Sequence, residues 1–393
     1  MMLRIETFQN VRKHIFGLNA VDKVGDEVSN LKAGKVLIIT DKGIVKSKLL
    51  NRVMDSLGGK SLEIAVFDEV KPEPTLESYE EALLFAKREK PDVIIGLGGG
   101  SSMDTAKTIS MMMSNPGEIK QYVGPPFETF KKEGIPRILI PTTAGTGSEC
   151  TQGSVIIVDS AKRDIADSKM FATVAIVDPM MTLSMPRRLT AITGIDALAH
   201  AMESFLSWKT TKLSYMFALE AIKLVFKYLR RAYRDGKDLE ARYYMSLAST
   251  LAGMAISVTS TNLGHAIAYT FAGWHKLPHG LSCGIALPYI MEYYLPAVVD
   301  KLATIAKEVG IVPAETPERE AATTLIKSVH QLIKDLGLYT SLKEAGIPED
   351  EIPEMINRLT SLYEYIWEGG PLPIIEDRIQ TTYRRMWEGK LIE

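Results

Sequence analysis

An α/β N-terminal half followed by an all-α C-terminal half is the fold that this sequence predicts. Three observations predict it. Short apolar runs bounded by Gly, Pro and Asp recur through the first half. One of them, Asp92-Val-Ile-Ile-Gly-Leu, runs into Gly98-Gly-Gly-Ser-Ser-Met-Asp-Thr-Ala-Lys, a strand, a glycine turn and a helix. After Pro186 the strand-like runs vanish, and long segments of helical period replace them. At 393 residues the chain is long for one domain and natural for two, residues 1–187 and 188–393.

In order, residues 1–30 hold short mixed segments, with His14 on an early strand in a structural role. Lys35-Val-Leu-Ile-Ile-Thr fits a buried parallel strand closed by Asp41. An acidic residue at such a strand end can bond the adenosine ribose and repel a 2′-phosphate, although Asp-Lys-Gly is also a plain turn. Leu62-Glu-Ile-Ala-Val-Phe is the next strand. A helix from Leu76 to Lys90 follows, with Thr75 as its N-cap and Pro91 as its stop.

In the glycine turn, Gly98, Gly99 and Gly100 let backbone N–H groups approach an anion, and Ser101 or Ser102 can cap the helix. A strand-GGG-helix alone is a tight turn as often as a phosphate site; Asp104 and Lys107, one turn in, favour the phosphate site. Met111-Met-Met is core packing. Arg137-Ile-Leu-Ile-Pro is a further strand, and it leads into a loop where Thr142, Thr143 and Thr146 offer hydroxyls and Gly145 and Gly147 allow close approach. That is where an α/β sheet binds its ligand. Ser154-Val-Ile-Ile-Val-Asp and Ala172-Thr-Val-Ala-Ile-Val-Asp-Pro are two more strands, separated by a polar excursion through Lys162 and Arg163.

The second half reads as helices over 188–207, 211–232, 238–257, 259–272, 284–309, 316–337, 350–366 and 374–387. Asp196 and His200 lie four apart, so both project from one helix face. Alone, that spacing is most often a cap and a core histidine. A second cluster changes the reading. His265 lies on another helix and His279 in the loop after it, so three of the six histidines sit at these places. One carboxylate and three imidazoles form a cage suited to Fe(II) or Zn(II), with a position left for a substrate oxygen. Phosphate-type loops in one half and metal donors in the other imply a small-molecule site in a cleft between them.

Composition narrows the classes. Apolar residues make up 46% and charged residues 24%, with a formal net charge of −2 and no long basic run, so nucleic acid is not an expected partner. No window of about 18 apolar residues exists, so no membrane span is expected. The opening Met-Met-Leu-Arg-Ile-Glu-Thr-Phe lacks the apolar core of a secretory leader. Two cysteines, Cys150 and Cys283, are too few for a disulfide framework and fit a reducing, cytoplasmic setting.

Taken together, Gly98-Gly-Gly-Ser-Ser-Met-Asp-Thr-Ala-Lys, Pro141-Thr-Thr-Ala-Gly-Thr-Gly-Ser-Glu, Ala191-Ile-Thr-Gly-Ile-Asp-Ala-Leu-Ala-His-Ala-Met-Glu and His265 through His279-Gly resemble the iron-containing (group III) alcohol dehydrogenases. These are related in fold to glycerol dehydrogenase and dehydroquinate synthase. The resemblance covers nearly the whole chain. It implies a Rossmann-like N-terminal domain and a helical C-terminal one. It implies Asp196, His200, His265 and His279 as metal ligands. It implies dinucleotide contacts from Gly99, Gly100, Ser101, Asp104, Thr142, Thr143 and Thr146, with Asp41 favouring NAD over NADP, and Gly98 and Lys162 are further cofactor-binding candidates.

Two departures stand out. Many members carry a second His four residues after the third ligand, where this chain has Tyr269, as in the hydroxyacid–oxoacid transhydrogenase branch. His275, four before His279, can serve in its place or be a loop residue. Glu73 stands where many members have Asn.

The expected chemistry is metal-assisted hydride transfer between a nicotinamide and a small alcohol or its carbonyl. The proton leaves through water and ribose hydroxyls, Tyr269 or His275. Fe(II) is favoured over Zn(II) by the resemblance, and a homodimer is expected. The alternatives are a hydroxyacid–oxoacid transhydrogenase that retains its cofactor, a dehydroquinate synthase-type lyase and a non-catalytic binding protein. The lyase needs Lys and Arg residues in which these motifs are poor.

Overall fold

The computed structural model describes residues 5–59 and 61–392. The start of the chain, read above as carrying no secretory leader, lies in part outside them. Two compact units are present, one spanning Gln9–Met185 and the other holding Pro186 onward together with the residues before Gln9. Among the described residues no helix is long and apolar enough to cross a membrane.

The first unit is built on eight strands: β1 His14–Phe16, β2 Lys35–Ile39, β3 Glu63–Phe67, β4 Val93–Gly98, β5 Arg137–Pro141, β6 Gly153–Val158, β7 Ala161–Ala166 and β8 Val174–Val177. Its helices are α1 Val24–Asn30, α2 Lys42–Lys46, α3 Leu49–Leu57, α4 Leu76–Glu89 and α5 Gly100–Met112. Six strands form one parallel sheet in the order β1-β8-β5-β4-β2-β3. After their first residues the strands are continuous apolar runs, as expected where both faces of a sheet are covered. Val36, Ile38, Ile95 and Ile138 pack on one side with Val24, Val28 and Val53. Leu37, Ile39, Ile94 and Leu139 pack on the other with Tyr79, Met103 and Ile109.

The stretch read as a polar excursion is a strand. β7 pairs antiparallel with β6 along its whole length. Its Ala-Lys-Arg-Asp-Ile-Ala composition hides it, and the tight turn is made by Asp159 and Ser160 at φ of 50° and 61°, without the glycine that usually marks a hairpin.

The second unit holds α6 Arg187–Leu206, α7 Lys212–Arg234, α8 Leu239–Thr259, α9 Leu263–His275, α10 His279–Glu308, α11 Glu318–Asp335, α12 Ile352–Leu362, α13 Glu364–Trp367 and α14 Glu376–Glu388. Three corrections concern the predicted helices. His279 is the first residue of α10, not a loop residue, and Pro278 before it is the N-cap. His275 likewise closes α9 instead of lying in a loop. The predicted helix over 350–366 is interrupted at Tyr363, whose φ of −123° and ψ of 17° separate α12 from α13. The C-terminal end of α6 is held by Lys301 of α10, whose amine donates to the carbonyls of Phe205, Leu206 and Ser207.

The glycine turn of the first unit rests on a buried charge network. Asp104 of α5 accepts from Ser148 Oγ at 2.5 Å and from the Val155 N–H at 3.0 Å, and pairs with Lys107 at 2.9 Å. Lys107 is fully buried and also donates to the carbonyls of Ser148 and Gly153. Removing one partner of a buried pair strands the other. Asp104→Ala is therefore expected to lower stability by about 3 kcal/mol or more, read as a fall in the urea midpoint. An unchanged midpoint would show that the pair holds nothing together.

Candidate metal centre and nucleotide cradle

Asp196 and His200 lie on one face of α6, His265 near the start of α9 and His279 at the start of α10. The structure brings all four together, with one donor atom from each within 4.8 Å of the others. His200 and His265 stack with ring centroids 4.6 Å apart, and His265 and His279 lie at 5.1 Å. His279 Nε2 is 3.6 Å from Asp196 Oδ1. Asp196, His200 and His265 are buried, and His279 keeps 22% of its side-chain surface open.

Close helix packing makes this convergence possible. A Cβ on Gly280 would fall 2.4 Å from the Ile192 carbonyl and 2.9 Å from Asp196 Cβ. Only glycine lets the start of α10 approach α6 so closely.

A divalent cation fits the donor set. His265 Nε2 is buried and has no hydrogen-bond partner among the described residues. Its other nitrogen, Nδ1, lies 2.5 Å from Glu203 Oε1. With the proton on Nδ1, Nε2 presents its lone pair to the cluster, as metal-binding imidazoles do. Burial works against a charge on His265, but Cys283 and the Glu203 carboxylate outweigh it and hold its pKa well above the usual histidine value. A cation on Nε2 takes the place of that proton. Cys283 Sγ also lies 3.7 Å from His279 Nε2.

Two of these neighbours escaped the sequence reading. Glu203 continues the face of Asp196 and His200 at i+7, a spacing that could have flagged it. Cys283 carries no such signal, because it joins the cluster only through the packing of α10.

Tyr269 is buried beside the donors, its ring 5.7 Å from His279 and edge-on at 6.3 Å to His265. Tyr363 packs edge-on against it at 5.6 Å. His275 is placed differently. Its Nε2 lies 2.6 Å from Glu351 Oε2, and its ring packs on Trp274.

In the first unit, β2 and β4 are neighbours where the strand order reverses, since β3 lies outside β2 and β5 outside β4. Ligands of such sheets bind beyond the strand ends at this switch point. Gly98 ends β4 at φ 149°, and a Cβ there would lie 2.5 Å from Ser102 Oγ, so this position requires glycine. Gly99 is the N-cap of α5, and no side chain caps the helix. This corrects the expectation of a serine cap. The helix starts at Gly100, so Ser101 and Ser102 lie inside its first turn, and the first N–H groups remain available to an anion. The loop after β5 packs on the turn. Thr142 N–H donates to the Gly98 carbonyl at 2.9 Å, and Cβ atoms on Gly99 and Gly100 would lie 3.6 Å from Thr143 and 2.9 Å from Thr146.

Asp41 stands at the end of β2. Its Oδ1 caps α2, accepting from Gly43 N–H at 2.7 Å and Ile44 N–H at 3.1 Å. Its Oδ2 is 3.4 Å from where a Gly98 Cβ would sit. Asp104 is turned inward, both oxygens engaged within the protein as described above. Lys162 is also buried, its amine 2.5 Å from Glu73 Oε2. Glu73 has φ 52°, a left-handed backbone that Asn tolerates better than Glu.

The profile described as iron-containing alcohol dehydrogenase matches residues 12–179, and that of the family's C-terminal part matches residues 190–387. The chain belongs to the iron-containing alcohol dehydrogenase family. It is 36% identical to long-chain-alcohol dehydrogenase 1 of Geobacillus thermodenitrificans, over 96% of this chain and 95% of that one. The crystal structure of a 1,3-propanediol oxidoreductase superposes with a TM-score of 0.93 at 31% identity, covering 98% of this chain and 100% of that one. Sulfoacetaldehyde reductase from Bifidobacterium kashiwanohense, solved with NAD+, superposes with a TM-score of 0.87 at 28% identity, over 98% of this chain and 99% of that one. As a member of the family, the chain is a metal-dependent, nicotinamide-linked oxidoreductase of small alcohols and carbonyls.

The two sites belong to separate compact units, so they should fail separately. At Gly99 a Cβ makes only an ordinary contact, so Gly99→Ala is expected to fold normally. It should weaken NAD binding by about tenfold or more, roughly 1.4 kcal/mol, and leave metal content intact. His200→Ala should do the reverse. Calorimetric NAD titration and metal analysis of both proteins check this, and parallel loss of both ligands in either protein would count against it.

Proposed function

We propose that this chain oxidises a small alcohol to its aldehyde or ketone, and catalyses the reverse reduction, with NAD as hydride carrier and Fe(II) held by Asp196, His200, His265 and His279. The observation that carries the reading is the convergence of these four donors from three helices. Three imidazoles and a carboxylate suit Fe(II) and Zn(II) alike, and the family's description favours iron. When bound, the cation supplies Lewis acidity toward the substrate oxygen, and the nicotinamide supplies the hydride acceptor.

The chain's own residues bind and orient. The first N–H groups of α5, at Gly100 and Ser101 after Gly99, receive the pyrophosphate. Thr142, Thr143 and Thr146 face the ribose and nicotinamide. Asp41 Oδ2 takes the adenosine ribose hydroxyls and repels a 2′-phosphate. Lys162 exchanges Glu73 for a cofactor oxygen, and Asp104 serves by holding the segment around Ser148 and Val155. The Tyr269 hydroxyl handles the alcohol proton, with His275 as the alternative. Tyr269 also keeps a second reading in view, a transhydrogenase that passes hydride from a hydroxy acid to an oxo acid without releasing its cofactor. The relatives' named substrates differ widely, from long-chain alcohols to sulfoacetaldehyde, so the substrate follows from side chains around the donors and not from the donors themselves. Assembly as a homodimer in a reducing compartment completes the reading, and both cysteines are free and buried.

Iron-loaded protein assayed for NADH formation across alcohols, diols and hydroxy acids tests it. Reduction of NAD by an alcohol is the expected result. Turnover between a hydroxy acid and an oxo acid without added NAD would favour the transhydrogenase, and no turnover with metal retained would overturn both. Asp41→Asn keeps the oxygen that caps α2 and removes the charge. The ratio of kcat/KM for NADP to that for NAD should rise by about tenfold, roughly 1.4 kcal/mol. A wild-type preference for NADP would remove the role given to Asp41.

A further inference from the structure

Glu203 is buried in α6, one turn beyond His200, and its carboxylate meets two elements of the site at once. Oε1 lies 2.5 Å from His265 Nδ1. Oε2 accepts from the Asn262 N–H at 2.5 Å and the His265 N–H at 3.4 Å. Those N–H groups open α9, whose own N-cap residue, Asn262, makes no side-chain cap. Asn262 instead donates its side-chain amide to the Glu203 carbonyl at 2.9 Å. The start of α9 is thus capped from a neighbouring helix by the same carboxylate that grips His265. Gly264 makes room for it, since a Cβ there would fall 2.6 Å from Glu203 Oε1. Among the described residues, no Lys or Arg pairs with Glu203. A buried carboxylate needs hydrogen-bond donors and positive charge around it, and the donor cluster is where a cation supplies that charge.

We infer that Glu203 is a positioning residue for the metal centre. It keeps the proton of His265 on Nδ1, fixes the ring's orientation and locks the start of α9 to α6, and so raises the affinity for the cation. This rests on the reading of Asp196, His200, His265 and His279 as the metal ligands. Hydrogen-bonded carboxylates behind metal-binding imidazoles commonly account for about 10- to 100-fold in affinity. Because the carboxylate also caps a helix, a merely structural role must be told apart from a positioning one.

The test uses full-length protein stripped of metal with a chelator and titrated with Co(II) against a chromophoric competitor. Glu203→Gln keeps the shape and an oxygen for the Asn262 N–H, but loses the charge. Gly264→Ala keeps the charge of the carboxylate but shifts it, because the added Cβ would lie 2.6 Å from Glu203 Oε1. Each is expected to bind Co(II) about 10- to 100-fold more weakly, with altered visible bands in Glu203→Gln, while NAD affinity and melting temperature stay near wild type. Co(II) affinity within twofold of wild type in both variants, while His200→Ala loses the ion, overturns the role of Glu203. Weakened Co(II) binding accompanied by a matching fall in melting temperature and NAD affinity in both variants also overturns it, since that is a structural role. Retention of Co(II) by His200→Ala sinks the ligand assignment instead.

Discussion

The close approach of α10 to α6 at Gly280 is the constraint on which the metal centre depends. Donor atoms of a single cation must converge within a few ångströms, yet helix axes normally stand about 8–10 Å apart. The side chains of Asp196 and His200 span part of that gap from α6. The rest is closed by removing bulk, at Gly280 against the Ile192 carbonyl and at Gly264 against Glu203. A methyl group at Gly280 would push His279 outward and open the cage, because the Ile192 carbonyl that it would meet is main chain and cannot swing aside.

Burial of charge is the second consequence of that packing. Asp196 and Glu203 are both buried within one stretch of α6. Each faces imidazole, with the Glu203 oxygens on His265 and the start of α9, and Asp196 Oδ1 3.6 Å from His279 Nε2. Two carboxylates and three imidazoles in a largely buried cluster form an environment that favours added positive charge. The first unit handles charge differently. The main-chain N–H groups at the start of its α5 have no side-chain cap, and its charged pair, Asp104–Lys107, is buried behind them.

Relatives alike in fold carry different substrate names, so the fold by itself does not name a substrate. Tyr269 packs beside His279 and edge-on against Tyr363, so bulky side chains stand next to the donors in the helical unit.

Much of this protein was legible in the sequence. Buried parallel strands betray themselves as continuous apolar runs, and helices as repeats of 3.6, because both follow from local geometry. Asp196 and His200 were legible for the same reason, being one turn apart. The triple glycine was legible as a turn, and Gly98 proves to be the position whose backbone demands it. What local pattern could not decide was the starting residue of each helix at the site. α5 begins at Gly100 instead of behind a serine cap, and α10 begins at His279 itself. β7 was missed because its pairing with β6, not its composition, makes it a strand. The partners of each charged group were hidden for the same reason: Glu203 meets His265 across 62 residues, Lys162 meets Glu73, and His275 meets Glu351. Sequence alone determined most of the elements and offered the donors, since strand and helix periods are properties of neighbouring residues. Only the tertiary structure decided how closely those donors approach and which charges are answered inside the protein, because those depend on contacts between segments far apart in the chain.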